Sequence, residues 1–201
     1  MKKSINDINL HVKRFLQTQN ECINEIQQNT REIDEIIKMI ISVRKNRKTI
    51  FTMGNGGSGS TASHFVSDLQ KTVIVKNENR IKAISLVDNI PVILAWSNDV
   101  SFDKIFEEQL KNQIEKNDIV IAFSGSGKSK NVVNALKIAK KMGAKCIGFT
   151  GKNGGSFNSA CDITFKVPSN DMLTIESQHI TICHCIASTI RNLGKPMFEY
   201  D

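Results

Sequence analysis

Apolar residues recur at helical spacing in the N-terminal part of the chain. Most fall three or four residues apart from Ile8 to Leu16 and again from Ile23 to Ile40, with one interval of seven between Ile26 and Ile33, a period typical of helices with one apolar face. The pattern predicts one long helix or two consecutive helices over residues 1–46. The rest of the chain has little surface left to cover this stripe, so we expect it to be an interface between copies of the chain.

After residue 46 the pattern changes to short runs of β-branched and aromatic residues separated by helical segments. A last helix is expected over residues 173–193, where Gly194 and Pro196 stop it. Strands separated by crossover-length helices predict a parallel sheet, and hence an α/β fold in a single domain, 1–201, whose core is 47–201. The five predicted strands are residues 49–53, 81–87, 119–123, 146–150 and 163–167.

The composition fits one soluble domain. The 201 residues are 40% hydrophobic and 23% charged, and no apolar run is long enough to cross a membrane. The five cysteines form no CxxC pair, which favours reduced thiols and a cytoplasmic location. The net charge of +7 suits an anionic ligand, but it is spread along the chain, so nucleic-acid binding is not expected.

Two polar loops follow predicted strands, where sheets of this type bind ligands. Residues 54–61 read Gly-Asn-Gly-Gly-Ser-Gly-Ser-Thr, and residues 124–129 read Ser-Gly-Ser-Gly-Lys-Ser. Glycines allow close approach of the backbone, and the helix that follows each loop offers amides to an anion. The second loop adds three hydroxyls and an ammonium group, which makes it the better phosphate site.

Each loop also resembles a nucleotide-binding motif. Gly54, Gly56 and Gly59 satisfy GxGxxG, but the candidate ribose-binding acid, Asp88, lies well beyond the usual offset of about 20 residues. No second domain remains to hold a hydride acceptor, so a nicotinamide enzyme is disfavoured. In the second loop Ala122 stands where a P-loop requires its first glycine, which excludes that motif.

Two pairs of polar residues at helical spacing have the composition of a zinc site or of an acid/base pair. His64 and Asp68 stand four residues apart after the first loop, and Glu176 and His184 stand eight apart on the last helix. Imidazoles and carboxylates bind zinc and move protons beside carbonyl groups. The alternatives are a surface pair at His64, an ordinary core histidine at His184 and a solvated helix-start charge at Glu176.

Taken in order along the chain, these motifs resemble sugar isomerase (SIS) domains of the sedoheptulose-7-phosphate isomerase, or phosphoheptose isomerase, type. The resemblance covers nearly the whole chain. It rests on residues 54–58, His64, residues 97–99, Phe102, residues 105–106, 124–131 and 150–155, and the helix from Glu176 to His184.

The resemblance implies a flavodoxin-like five-stranded parallel sheet, a homotetramer assembled through the N-terminal helices, and active sites shared between subunits. It implies zinc at His64, Asp68, Glu176 and His184, with Asp68, Glu176 and His184 as catalytic residues. The implied substrate-binding residues are Asn55, Gly56, Gly57, Ser58, His64, Asp68, Asn98, Asp99, Ser124, Gly125, Ser126, Ser129 and Glu176.

The implied reaction is the aldose–ketose isomerisation of sedoheptulose 7-phosphate to D-glycero-D-manno-heptose 7-phosphate, an early step towards the heptose of bacterial envelopes. A base removes a proton from C1, and the enediol is reprotonated at C2. The chain departs from the family where Asp68 replaces glutamate, Glu176 replaces glutamine and Gly125 replaces threonine. The missing methylene withdraws the Asp68 carboxylate by about 1.3 Å, which Glu176 can offset. The alternative is a non-catalytic sugar-phosphate sensor, or an adaptor that binds the replication initiator.

Overall fold

The computed structural model describes residues 5–198 of the expected domain, and residues 1–4 and 199–201 lie outside the described part. The helices are α1 (Ile5–Gln27), α2 (Arg31–Lys45), α3 (Gly57–Ser67), α4 (Ile90–Asp99), α5 (Glu107–Gln113), α6 (Lys130–Lys141), α7 (Phe157–Ala160) and α8 (Met172–Asn192). The strands are β1 (Thr49–Gly54), β2 (Lys82–Ser85), β3 (Ile119–Phe123), β4 (Lys145–Thr150) and β5 (Ile163–Lys166).

The strands form one parallel sheet in the order β2-β1-β3-β4-β5, which is the flavodoxin-like order. The predicted α/β class, five-stranded parallel sheet and N-terminal helices are therefore confirmed. The second strand is shorter than the predicted 81–87, because β2 lies at the edge of the sheet and pairs only with β1, from Lys82 to Ser85.

Alternate side chains of the strands enter two cores on opposite faces of the sheet. On β3, Ile119, Ile121 and Phe123 pack with α2, α3 and α8, whereas Val120 and Ala122 pack with α5, α6 and α7. This alternation follows from the twofold repeat of a strand, and it buries both faces as parallel sheets require.

The two N-terminal helices differ in how they contact the sheet. In α2, Ile33, Ile36, Ile37, Ile40 and Val43 form a buried stripe in the core. In α1, only the C-terminal part is buried, at Cys22 and Ile26. Ile23 is partly buried against the core, and five large apolar side chains nearer the N-terminus are exposed: Ile8, Leu10, Val12, Phe15 and Leu16.

The strand order reverses between β1 and β3, whose carboxyl ends therefore open a crevice. Ligands of doubly wound sheets bind in this position. The loop of residues 54–59, hereafter the first loop, leaves β1, and the loop of residues 124–129, the second loop, leaves β3. Both polar loops found in the sequence thus border the same crevice.

Candidate active site

The first loop is shaped by glycines that approach other groups closely. Gly56 has a φ of +54°, which favours glycine, and a Cβ at Gly54 would lie 2.5 Å from the Ser58 carbonyl oxygen. A Cβ at Gly57 would overlap the carboxylate of Glu176, which comes from α8. Helix α3 begins inside this loop, at Gly57, and has no side-chain cap; in its first turn the Gly59 amide donates to the Asn55 carbonyl oxygen at 3.2 Å.

The second loop brings its three hydroxyls together. The Ser124 Oγ lies 3.1 Å from Ser129 Oγ and 3.5 Å from Ser126 Oγ, and the Lys128 amide donates to Ser126 Oγ at 3.2 Å. Helix α6 begins directly after this cluster. Converging hydroxyls at a helix N-terminus are suited to hold the oxygens of a phosphate.

The first loop is joined to the first turn of α6, which directly follows the second loop, by a reciprocal pair of amide hydrogen bonds. Asn55 Nδ2 donates to Asn131 Oδ1 at 3.0 Å, and Asn131 Nδ2 donates to Asn55 Oδ1 at 2.8 Å. Because both amides are satisfied by each other, the pair fixes the distance between the loops. The sequence places Asn131 in the motif but does not indicate this contact.

Helices α3 and α8 bring three metal-binding groups to one point beside the first loop. The Nε2 atoms of His64 and His184 are 2.9 Å apart, and they lie 3.6 and 3.7 Å from Asp68 Oδ2. Asp68 opens a π-helical turn, residues 68–72, and its other oxygen, Oδ1, accepts from Thr72 Oγ1 at 3.0 Å. Such turns inside helices often occur at functional sites.

This group fits a divalent metal. Ligands of a tetrahedral zinc with bonds of about 2.0–2.2 Å are separated by about 3.4 Å. The two histidine–Asp68 distances are close to this value, whereas the two imidazoles, at 2.9 Å, are within hydrogen-bond distance of each other. Asp68 Oδ2 is buried and has no hydrogen-bond partner among the described residues, so a cation would satisfy an otherwise costly group. His64, Asp68 and His184 are the one such cluster found in the described part of the chain.

Cys183, the residue before His184, has a fully buried thiol. Burial, and secondly the Asp68 charge, raise the pKa of Cys183 well above its ordinary value. The thiol therefore stays neutral, and metals bind the thiolate. Four of the five cysteines are buried, as expected from their apolar surroundings.

The structure does not bring every candidate residue to this point. Glu176 of α8 is half-buried, and its carboxylate packs against Gly57 of the first loop. It is not part of the His64–Asp68–His184 cluster. Asn98 and Asp99 are exposed at the end of α4, where Asn98 Nδ2 donates to Asp99 Oδ1 at 2.8 Å.

A cavity of about 620 Å³ opens beside the first loop and His64. That volume is in the range of small-molecule sites. Its polar side includes Asn55, Ser60 and His64, and its apolar side includes Phe102 and Phe106. A second cavity, of about 650 Å³, lies at the opposite edge of the sheet, where Lys48 is already paired with Glu115. The first cavity alone adjoins the metal-binding groups.

Two further residues support the site but were not predicted. Met172 Sδ occupies the space that a Cβ at Gly125 would need. His179 is fully buried next to Phe123 and Phe149. Phe123 is the last residue before the second loop, and Phe149 is the penultimate residue of β4. Methionine at a helix start and histidine in an apolar run carry no signal of these contacts in the sequence.

Among the described residues, no helix is long and apolar enough to span a bilayer.

The chain is similar to known proteins over most of its length. The sequence pattern of the SIS domain family matches residues 14–151. The phosphoheptose isomerase of Aliarcobacter butzleri is 37% identical over 90% of this chain and 95% of its own length. That of Campylobacter concisus is 34% identical over 92% and 93%.

Solved structures show the same fold. A phosphoheptose isomerase from Francisella tularensis superposes with a TM-score of 0.84 at 28% identity, over 94% of this chain and 99% of that one. One from Neisseria gonorrhoeae gives 0.85 at 23% identity, over 92% and 99%. Since the sequence similarity extends over nearly the full length of these relatives, the chain belongs to the phosphoheptose isomerase family of SIS-domain proteins.

Proposed function

We propose that the protein is an aldose–ketose isomerase that converts sedoheptulose 7-phosphate into D-glycero-D-manno-heptose 7-phosphate. The observation that carries the proposal is the convergence of His64, Asp68 and His184, with an unpaired buried carboxylate oxygen, in the crevice that both loops border. A site that only bound phosphate would not need this group. The product of this reaction would be a precursor of the heptose in envelope glycans.

The second loop anchors the substrate. Ser124, Ser126 and Ser129 donate their hydroxyls to the phosphate, and the first turn of α6 faces the same oxygens. The exposed Lys128 supplies positive charge at the mouth of the site. The Asn55–Asn131 pair then sets how far the sugar carbons lie from the anchored phosphate.

His64, Asp68 and His184 would hold zinc, which when bound polarises a carbonyl and offsets the negative charge that develops on its oxygen. Thr72 holds Asp68 Oδ1, so that Oδ2 stays directed at the two imidazoles. The chain itself orients the three ligands before any metal arrives.

The proton is moved by Glu176. Its carboxylate lies on Gly57 with no hydrogen-bond partner among the described residues, half-buried beside the loop that contacts the sugar. It takes a proton from C1 of the opened ketose and returns it to C2 of the enediol, while the proton of the C1 hydroxyl passes to the C2 oxygen. Asp68, which is held by Thr72 and directed at the histidines, serves as a ligand in this scheme.

The direct test is a coupled assay of the full chain with sedoheptulose 7-phosphate, with and without added zinc. We expect turnover that a chelator abolishes and zinc restores. Fructose 6-phosphate, a shorter ketose phosphate, is the control substrate and should react far more slowly. Tight binding of the heptose phosphate without turnover in either condition would favour the sensor or adaptor.

The two carboxylates are separated by a matched pair of variants, Glu176→Gln and Asp68→Asn. Glu176→Gln should lower kcat by about 10²- to 10⁴-fold, the usual contribution of a general base, and leave zinc content unchanged. Asp68→Asn should lower the zinc content measured after dialysis. Wild-type turnover in Glu176→Gln would place the base elsewhere, and loss of zinc in that variant would make Glu176 a ligand.

A further inference from the structure

Helix α1 first meets α8 at a polar residue. Side chains from Ile8 to Thr18 are exposed along α1, whereas Gln19 is half-buried and Cys22 and Ile26 are buried. Residues 19, 22 and 26 share one face of a helix. Gln19 is therefore the residue at which the inward face of α1 begins.

Both ends of the Gln19 amide are bonded to α8. Gln19 Nε2 donates to Thr174 Oγ1 at 2.9 Å, and Gln178 Nε2 donates to Gln19 Oε1 at 3.0 Å. The two partners lie one helical turn apart and are almost fully buried. A buried amide left without a hydrogen-bond partner destabilises the folded protein. Sliding α8 along α1 would break both bonds, so the two bonds set the register of α8 along α1.

The opposite side of the same two turns of α8 forms one wall of the active site. Residues two apart on a helix lie about 160° apart around its axis, so Glu176 projects away from both Thr174 and Gln178. Glu176 contacts Gly57 of the first loop, and Met172 contacts Gly125 of the second. Helix α8 is thus clamped between α1 on one side and the two loops on the other.

We propose that Gln19 is a positioning residue for the isomerase reaction. By fixing the register of α8, it sets where the Glu176 carboxylate stands above the first loop and how closely Met172 packs on the second. The inference rests on the proposed function for its kinetic consequence. It makes the N-terminal extension part of the catalytic unit as well as a candidate interface.

The test compares Gln19→Leu with Gln17→Leu in the full-length protein. Gln17 is exposed on the same helix and bonds only Glu21 within α1, so it is a matched control. Gln19→Leu should lower kcat/KM by about tenfold to a hundredfold, the effect of misplacing a reacting group by about 1 Å. Gln19→Glu keeps two acceptor oxygens for the Gln178 amide and the Thr174 hydroxyl, and should recover most of the loss.

A second measurement does not depend on turnover. Hydrogen exchange of the amides in residues 54–59 and 124–129 should be faster in Gln19→Leu and unchanged in Gln17→Leu. Equal exchange in the two variants would overturn the proposal. A fall in turnover that comes with a lower mass in light scattering would assign Gln19 to assembly and also overturn it. If the intact chain has no turnover, the proposed function fails, and the exchange rates still decide the role of Gln19.

Discussion

His179 lies in the centre of the core, with its ring centroid 6.0 Å from that of Phe123 and 5.9 Å from that of Phe149. Neither ring nitrogen has a hydrogen-bond partner that satisfies normal geometry. Burial lowers the pKa of His179 from 6.5 to about 4, and the nearby Thr150 backbone only partly offsets this. His179 is therefore neutral, and its ring packs against Phe123 near the end of β3 and Phe149 near the end of β4.

This pKa shift predicts a loss of stability in acid. Between pH 6.5 and about 4 the unfolded chain binds a proton at His179 that the folded chain does not, so the free energy of unfolding falls as the pH falls. The full effect is about 3 kcal/mol. Urea unfolding of His179→Leu should show a flatter pH dependence in this window than the parent. The exposed His11→Leu serves as control, and an unchanged slope in His179→Leu would contradict the shift.

Single residues also show where sequence reasoning reached its limit. Four-residue spacing was enough to bring His64 and Asp68 together, because both lie along one side of a continuous helical segment. His184 joins them only because α8 packs across α3, a contact between segments 120 residues apart. The Glu176 carboxylate can pack against the first loop only because Gly57 has no side chain. The spacing of residues in the sequence does not reveal this contact.

At the scale of elements, the periodic segments were predictable and the irregular ones were not. The strands β1, β3, β4 and β5 and helix α8 lie close to their predicted bounds, whereas β2 covers only Lys82–Ser85 of the predicted 81–87. Burial on both faces gives β1, β3 and β4 continuous apolar runs. The π-helical turn at Asp68–Thr72 has no period of its own in the sequence. It nevertheless aims the carboxylate of the candidate site.

Helix α8 and the second loop fit each other as a pair. Met172 Sδ fills the space beside Gly125. Gly125→Thr should therefore displace the Met172 side chain, and since Met172 is 46% exposed, the cost should be at the low end of the range for overpacked sites, about 1 kcal/mol. The free energy of unfolding in urea measures this cost, and Met172→Ala in the same chain should recover at least half of it. A Gly125→Thr variant as stable as the parent would show that Met172 moves freely.

On the scale of the whole molecule, α1 presents an apolar face that the described residues of the same chain leave uncovered. Ile8, Val12 and Leu16 are 61%, 53% and 57% exposed and lie four residues apart. A stripe of this kind on a long helix is typical of helix–helix association. We propose that four copies assemble through it.

Light scattering of the intact chain should give about four times the 22.4 kDa chain mass. Replacing Val12 and Leu16 together by glutamate should dissociate the assembly, because charges are costly in an apolar contact. Lys13→Glu, on a neighbouring face of the same helix, is the control. A monomeric parent protein would refute the interface, as would an unchanged mass in the double variant.

The amide pair that joins the first loop to α6 also bears on how the protein ages. Asparagine followed by glycine is prone to deamidation, since the glycine amide attacks the unhindered side chain, and the chain has this dipeptide at Asn55–Gly56 and Asn153–Gly154. Asn153 is exposed and makes one long bond to Asn170, at 3.4 Å. Asn55 is held at both ends by Asn131. Conversion of Asn55 to aspartate would set a negative charge beside the phosphate site, so the shelf life of an active preparation depends on Asn131, a residue that performs none of the chemistry.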